Sequence, residues 1–311
     1  MINVFRDISE IKREENTAVT MGTFDGLHIG HQHILNVLIE KASRNKCRTF
    51  VVTFEPHPRL VLNKRNGIKI LTPIEEKIKV FENSGIENLL IINFTEEFSE
   101  QSSVEFIENL IIEKLGAKEI VIGYDHKFGK DRGGDESTFR ELSKKYNFDL
   151  TVVPAKTIND EIVSSTKIRR ALLEGDLENV FAYLNRNYSL NGKVVKGAGR
   201  GRTLGFPTAN VELNDKIKLI PKTGVYVVKC VVLGHEVFGI MNIGVRPTFE
   251  NLDESVIEVH LFEFNKEIYD DNIQIELLKR IRDEKRFNSK EELINQIVID
   301  KKNAVNFVNK I

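Results

Sequence analysis

Gly22-Thr23-Phe24-Asp25-Gly26-Leu27-His28-Ile29-Gly30-His31 follows directly on the apolar run Ala18-Val19-Thr20-Met21. A short apolar run that breaks at glycines and passes into helix-forming residues reads as a strand handing over to a helix. Glycines allow the backbone to approach phosphate oxygens closely and to adopt dihedrals closed to other residues. The helix opening near Gly30 adds free amide donors and the positive end of its dipole. His28 and His31, three residues apart, then suit hydrogen bonds to phosphate oxygens and stabilisation of the charge that develops as pyrophosphate leaves. Gly22, Phe24, Asp25 and Gly30 are the other nucleotide-contact candidates of this turn. Asp25 carries two readings, since Asp-Gly is a common turn pair and a carboxylate here also suits orienting a histidine or a magnesium ion.

Outward from this turn, apolar segments alternate with amphipathic ones between residue 17 and about 155. Strands are expected at Thr17 to Met21, Arg48 to Phe54, Leu89 to Phe94, Glu119 to Gly123 and Leu150 to Val153. Helices are expected at His31 to Arg44 and at Val104 to Leu115, each with apolar positions at helical spacing. Continuous apolar strands separated by helices imply a Rossmann-like parallel sheet covered on both faces. Ligands of such folds sit at the carboxyl ends of strands where the winding direction changes, and the Gly22 to His31 turn occupies such an end. Ser164-Ser165-Thr166-Lys167-Ile168-Arg169-Arg170 opens a further helix. Its hydroxyls serve equally as N-caps or phosphate contacts, and Arg169 offers a forked donor to phosphate.

Near residue 186 the pattern changes. Closely spaced strands with no helices between them imply a small antiparallel β-barrel, and Ser289-x-x-Glu292 is a capping box opening a terminal helix. The expected domains are therefore 1–185 and 186–311. Gly197-Ala198-Gly199-Arg200-Gly201-Arg202-Thr203 suits a flap whose amides and guanidinium groups wrap phosphates, with Gly199, Arg200 and Arg202 the candidate contacts. Thr208 and Asn210, two apart on an expected strand, place a hydroxyl and an amide oxygen on one face, hard oxygen ligands fit for magnesium. Glu258 lies in Ser255-Val256-Ile257-Glu258-Val259-His260-Leu261 and shares a face with Val256 and His260. Inside the barrel, desolvation would raise its basicity and suit it to take a proton from a substrate hydroxyl. The other reading is an outward polar position of an amphipathic strand.

Bulk properties limit the function classes. The chain has 311 residues, 41% hydrophobic and 29% charged, with a formal net charge of -1. Near-neutrality argues against broad electrostatic binding to nucleic acid or anionic lipid, and the absence of Trp argues against a stacking platform for single strands. Two cysteines, Cys47 and Cys230, favour a reducing compartment over a disulfide framework. The charged start and the lack of a long apolar run point to a cytoplasmic protein without a membrane span.

The first turn resembles the first motif of nucleotidyltransferases with the HxGH signature, and Ser164 to Arg169 resembles their Ser-Ser-Thr-x-Ile-Arg motif. With Thr53-Phe54-Glu55-Pro56-His57-Pro58 and Gly205-Phe206-Pro207-Thr208-Ala209-Asn210, the chain resembles the bacterial bifunctional riboflavin kinase/FAD synthetase family over nearly its whole length. The resemblance implies an FMN adenylyltransferase domain followed by a riboflavin kinase domain, with riboflavin, FMN and ATP as substrates and Mg2+ as cofactor. It implies nucleotide or flavin contact at Asp125 and the role of catalytic base for Glu258, which aligns with the kinases' glutamate. Asn242, Arg246 and Phe249 belong to another family-like loop. At His126 the chain departs from the family, whose members usually carry Phe. Two other readings compete: transfer of a nucleotidyl group to a different acceptor beside an accessory barrel, and a flavin-binding protein without catalysis.

Overall fold

The computed structural model describes residues 1–62, 67–130, 133–197, 201, 204–246 and 254–311, the side chains of 246 and 254 excepted. The chain divides into two compact units, Met1–Ser165 and Thr166–Ile311. Gly199, Arg200, Arg202 and Phe249 lie outside the described residues.

In the first unit, β1 (Asn3–Phe5), β2 (Thr17–Met21), β3 (Arg48–Glu55), β4 (Asn88–Asn93), β5 (Ala117–Gly123) and β6 (Asp149–Val153) form one sheet in the order β1-β4-β3-β2-β5-β6. All neighbours are parallel. The helices are α1 (Ile29–Asn45), α2 (Pro58–Leu62), α3 (Ile74–Asn83), α4 (Glu96–Ser99), α5 (Ser103–Phe106) and α6 (Glu136–Tyr146), and a π-helical stretch runs over Ile107–Lys114. Alternate strand residues enter opposite cores. Val19, Met21, Phe50, Val52, Ile120 and Ile122 pack with Ile107, Ile111 and Phe139, whereas Ala18, Val51, Leu89 and Val121 pack with Leu35, Leu38 and Phe81. Burial on both faces is why β2 and β3 read as unbroken apolar runs. The winding direction reverses between β2 and β5, so the turn after β2 and the loop after β5 share the edge at which open parallel sheets take their ligands. A small hairpin of β7 (Thr157–Ile158) and β8 (Glu161–Ile162) precedes Ser164.

The second unit starts with α7 (Ser165–Glu174), apart from its first residue, and α8 (Leu177–Leu184). The strands β9 (Tyr188–Val195), β10 (Ala209–Leu213), β11 (Gly224–Val232), β12 (His235–Arg246), β13 (Glu254–Leu261) and β14 (Asn272–Arg282) then close a barrel in the order β10-β13-β12-β11-β14-β9. Its interior is lined by Leu190, Val194, Tyr226, Val228, Cys230, Met241, Ile243, Ile257, Val259 and Ile275, all buried. The C-terminal helix Lys290–Val308 covers part of the outer wall, where Val225, Val227 and Ile240 pack with Ala304.

This parity corrects the expectation that Glu258 points into the barrel. Ile257 and Val259 fill the interior, so Glu258 projects from the outer wall, on the face it shares with Asn242 and Ile240. Period-2 spacing groups residues by face, and the second, unbroken apolar row of β13 claims the inside.

Candidate active sites

The Gly22 to His31 turn bends through two non-glycine residues in the left-handed region, Phe24 (φ 47°) and Leu27 (φ 44°). Each costs about 1–2 kcal/mol for a residue with a Cβ, so the surroundings must impose the shape. Both side chains are buried: Leu27 enters the core, and the Phe24 ring sits edge-on to Phe81, with centroids 5.5 Å apart. What Phe24 can offer a nucleotide is therefore its backbone. Around the turn, the Leu71 and Thr72 N–H groups donate to Asp25 Oδ1 at 3.0 Å each, and Ser165 Oγ donates to the Asp25 carbonyl at 2.7 Å. Asp25 is thus a buried tie between the turn and a loop some 46 residues away.

The turn delivers His28 as N-cap of α1 and His31 to its first turn. The two imidazoles stack with centroids 3.7 Å apart and planes 18° from parallel. Gly30 leaves room for this, because a Cβ there would stand 3.1 Å from two atoms of the His28 ring and press the imidazole aside by a few tenths of an ångström. Gly22 donates its N–H to Val52 O at 3.0 Å and continues β2 into the turn. Asp125 stands exposed just past the end of β5, on the same edge of the sheet. His126, beside it, joins the rings of Phe128 and Phe139 at 5.3 and 5.9 Å, where it fills an aromatic position. Thr166 and Arg169 follow Ser165 on α7, in the second unit.

Sequence reasoning missed Lys77, which comes from α3 and is only 1% exposed, yet donates from Nζ to the Thr23 carbonyl at 2.8 Å. Burial lowers its pKa from the ordinary lysine value, while the charges of Asp25 and Glu55 oppose the shift. No local pattern announces such a contact, since 54 residues separate the partners.

On the barrel, Asn210 of β10 faces Glu258 of β13, and Glu258 faces Asn242 of β12. Directly opposed residues of antiparallel strands share a face, so the three polar side chains form one half-buried row across three strands. Thr208 precedes the row on the same chain segment. Gly197 and Gly201 approach it so closely that a Cβ on Gly197 would collide with the Asn210 amide, its Nδ2 nearest, and one on Gly201 would lie 2.8 Å from Thr208 Oγ1. The donor set, a hydroxyl on Thr208 and a carboxamide on Asn210, suits a hard cation such as magnesium. Glu284 brings a second carboxylate to the row: a Cβ on Gly244 would meet Glu284 Oε1 at 2.6 Å and Asn242 Nδ2 at 3.2 Å. His260 supports the segment from below. Its Nδ1 lies 2.8 Å from the Pro207 carbonyl, which only accepts, so Nδ1 carries the hydrogen. Arg246 lies on β12 by its backbone.

Comparison with known proteins matches these two constructions separately. Residues 10–167 match the FAD synthetase family model and residues 184–308 the riboflavin kinase model. A bifunctional riboflavin kinase/FMN adenylyltransferase of Bacillus subtilis is 40% identical over 97% of this chain and 96% of its own length. Those of Buchnera aphidicola from Schizaphis graminum and of Listeria monocytogenes are 40% and 37% identical, over 96% and 95% of this chain and 96% and 94% of theirs. The chain belongs to the bifunctional riboflavin kinase/FMN adenylyltransferase family. A crystal structure described as a macrolide-efflux protein from Streptococcus pneumoniae superposes with a TM-score of 0.89 at 30% identity, over 98% of this chain and 99% of that one. Among the described residues of the present family member, no helix is long and apolar enough to cross a membrane.

Proposed function

We propose that the barrel site phosphorylates riboflavin to FMN and that the His28–His31 site adenylylates FMN to FAD, each step consuming one ATP. At the barrel, the ribityl 5'-hydroxyl attacks the γ-phosphorus of ATP, its proton passes to Glu258, and the bond to the ADP oxygen breaks. Outer-wall placement suits this role, because the carboxylate must meet a substrate that arrives from solvent. Thr208 and Asn210 would hold magnesium, which neutralises phosphate charge during transfer. Gly199, Arg200 and Arg202 are assigned to phosphate contact on the sequence alone.

At the first site, a phosphate oxygen of FMN attacks the α-phosphorus of ATP, and the bond to pyrophosphate breaks. No side-chain nucleophile takes part. His28 and His31 hydrogen-bond the phosphates and offset the charge accumulating on the leaving pyrophosphate, at the amide-rich mouth of α1. Gly22, Phe24 and Gly30 contribute backbone, and Asp125, Ser164, Ser165, Thr166 and Arg169 are assigned as nucleotide contacts. The functional boundary is placed at 185/186, next to the start of the kinase-matched segment. The cytoplasm is the proposed compartment, in keeping with free thiols at Cys47 and Cys230.

The observation that carries the pairing is the Asn210–Glu258–Asn242 row, because an accessory barrel beside a lone nucleotidyltransferase needs no such set. The test is a pair of single variants. Glu258→Gln should lose riboflavin phosphorylation by about 10²-fold or more while still converting supplied FMN to FAD. Unchanged kinase turnover in that variant removes the base assignment. His31→Ala should lower pyrophosphate release from FMN and ATP by about 10²–10³-fold while sparing FMN formation.

A further inference from the structure

The turn that presents the histidines is held from one side by a single stretch of chain. Leu71 and Thr72 donate their N–H groups to the Asp25 carboxylate, and five residues on Lys77 reaches back from α3 to the Thr23 carbonyl. The carbonyl that Lys77 grips belongs to the peptide unit entering Phe24, the first of the two left-handed residues. The orientation of that peptide decides whether the chain turns left-handed at Phe24 or runs on as strand. Thr53 Oγ1 donates to the same carbonyl from β3 at a longer 3.4 Å, and Gln32 Nε2 donates to Leu27 O at 2.9 Å at the other end of the turn. The Phe24 ring in turn meets His31 edge-on, with centroids 5.3 Å apart. A continuous line of contacts therefore leads from the Lys77 ammonium through the Thr23–Phe24 peptide to the imidazole pair.

An ammonium taken out of water is costly even with the Asp25 and Glu55 charges in its favour, and here its bond goes to a single backbone carbonyl of the turn. A cation that remains under such a penalty is doing something its stem alone does not.

We propose that Lys77 is the positioning residue of the adenylyl-transfer site, its ammonium fixing the Thr23 carbonyl so that the left-handed turn presents His28 and His31 in stacked register. The inference rests on the reading of His28 and His31 as the ATP contacts. Lys77 acts through the turn, because its ammonium is spent on the Thr23 carbonyl and not on the phosphates. Its loss should appear in turnover rather than in substrate binding, because misplaced donors fail most where charge develops.

The test is a double-mutant cycle between Lys77→Met and His31→Ala, measured as kcat and KM for FAD formation, with riboflavin phosphorylation by the same molecules as internal control. Lys77→Met should lower kcat about 10²-fold, the loss expected of an ångström-scale misplacement, with the KM for ATP changed less than threefold. Added to His31→Ala it should cost little more, since both changes remove one arrangement. The imidazole 15N resonances of His28 and His31 should move in Lys77→Met, a readout independent of turnover. Lys77→Gln, whose shorter side chain keeps a polar group but falls short of Thr23 O, replaces the Met variant in the same cycle if that one does not fold. Wild-type kcat, fully additive losses or unmoved histidine resonances would each overturn the role of Lys77. Full FAD synthesis in His28→Ala and His31→Ala would instead remove the underlying site reading, and the two failures are thereby distinct.

Discussion

His260 carries the most direct pH signature of the barrel. Burial pushes its pKa below the ordinary histidine value, the bond to the Pro207 carbonyl opposes that shift, and the Lys301 charge adds to it. The unfolded chain then binds the proton more readily than the folded one, so stability is present above the unfolded value near 6.5 and is lost as pH falls from there through the folded value. Urea denaturation of the barrel should show a lower midpoint at pH 5.5 than at pH 7.5, and His260→Asn should flatten that difference. An unchanged slope in the variant would remove His260 from the account. Lys77 shows what was illegible at this scale. A lysine in Glu75-Glu76-Lys77 on an amphipathic helix reads as solvated, and only the fold turns it inward. His28 and His31 were legible because glycine spacing and strand-end position are local facts; Glu258 was legible as a residue but not as a direction.

Among elements, the C-terminal helix joins the barrel through an ion pair as well as its apolar face. Arg282 of β14 donates from Nε at 3.1 and 3.0 Å and from Nη2 at 2.8 Å to the buried Asp300, which also accepts from Gln296 at 2.9 Å. Arg282 faces Val225, whose other neighbour is Asn242, so this bond lies at the end of the Asn210–Glu258–Asn242 row. Asp300→Ala should destabilise the second unit by about 2–3 kcal/mol, below the full cost of breaking a buried pair because Arg282 remains partly in water. Equilibrium unfolding measures it, and a loss under 0.5 kcal/mol would mean that the apolar contacts of Ala304 and Phe307 hold the helix alone. The helix itself was readable from Ser289 and Glu292. The Ser289 side chain accepts from the Glu292 N–H, although the Glu292 carboxylate accepts from Asn288 rather than closing the box. Strand β1 escaped notice because three edge residues carry no period, and the stretch expected as one helix from Val104 runs partly as π-helix, a difference in winding that apolar spacing does not encode.

At the scale of the molecule, the two units follow different construction rules. The first buries its strands on both faces and gathers its chemistry where the winding reverses. The second turns one row of each strand inward and leaves the opposite row to carry its polar site. Both plans were legible in the change from helix-separated apolar runs to closely spaced strands near residue 186, because period and loop length are properties of the chain. Pairing order and barrel closure are not, since they depend on contacts far apart in sequence. The measurement that bears most directly on the whole account is a time course of the intact chain with riboflavin, ATP and magnesium, with the flavins separated by chromatography. FMN should rise first and FAD follow, with one ADP released for each FMN formed and one pyrophosphate for each FAD. No FMN from riboflavin, together with no FAD from supplied FMN, would contradict it and return the nucleotidyl acceptor to open question.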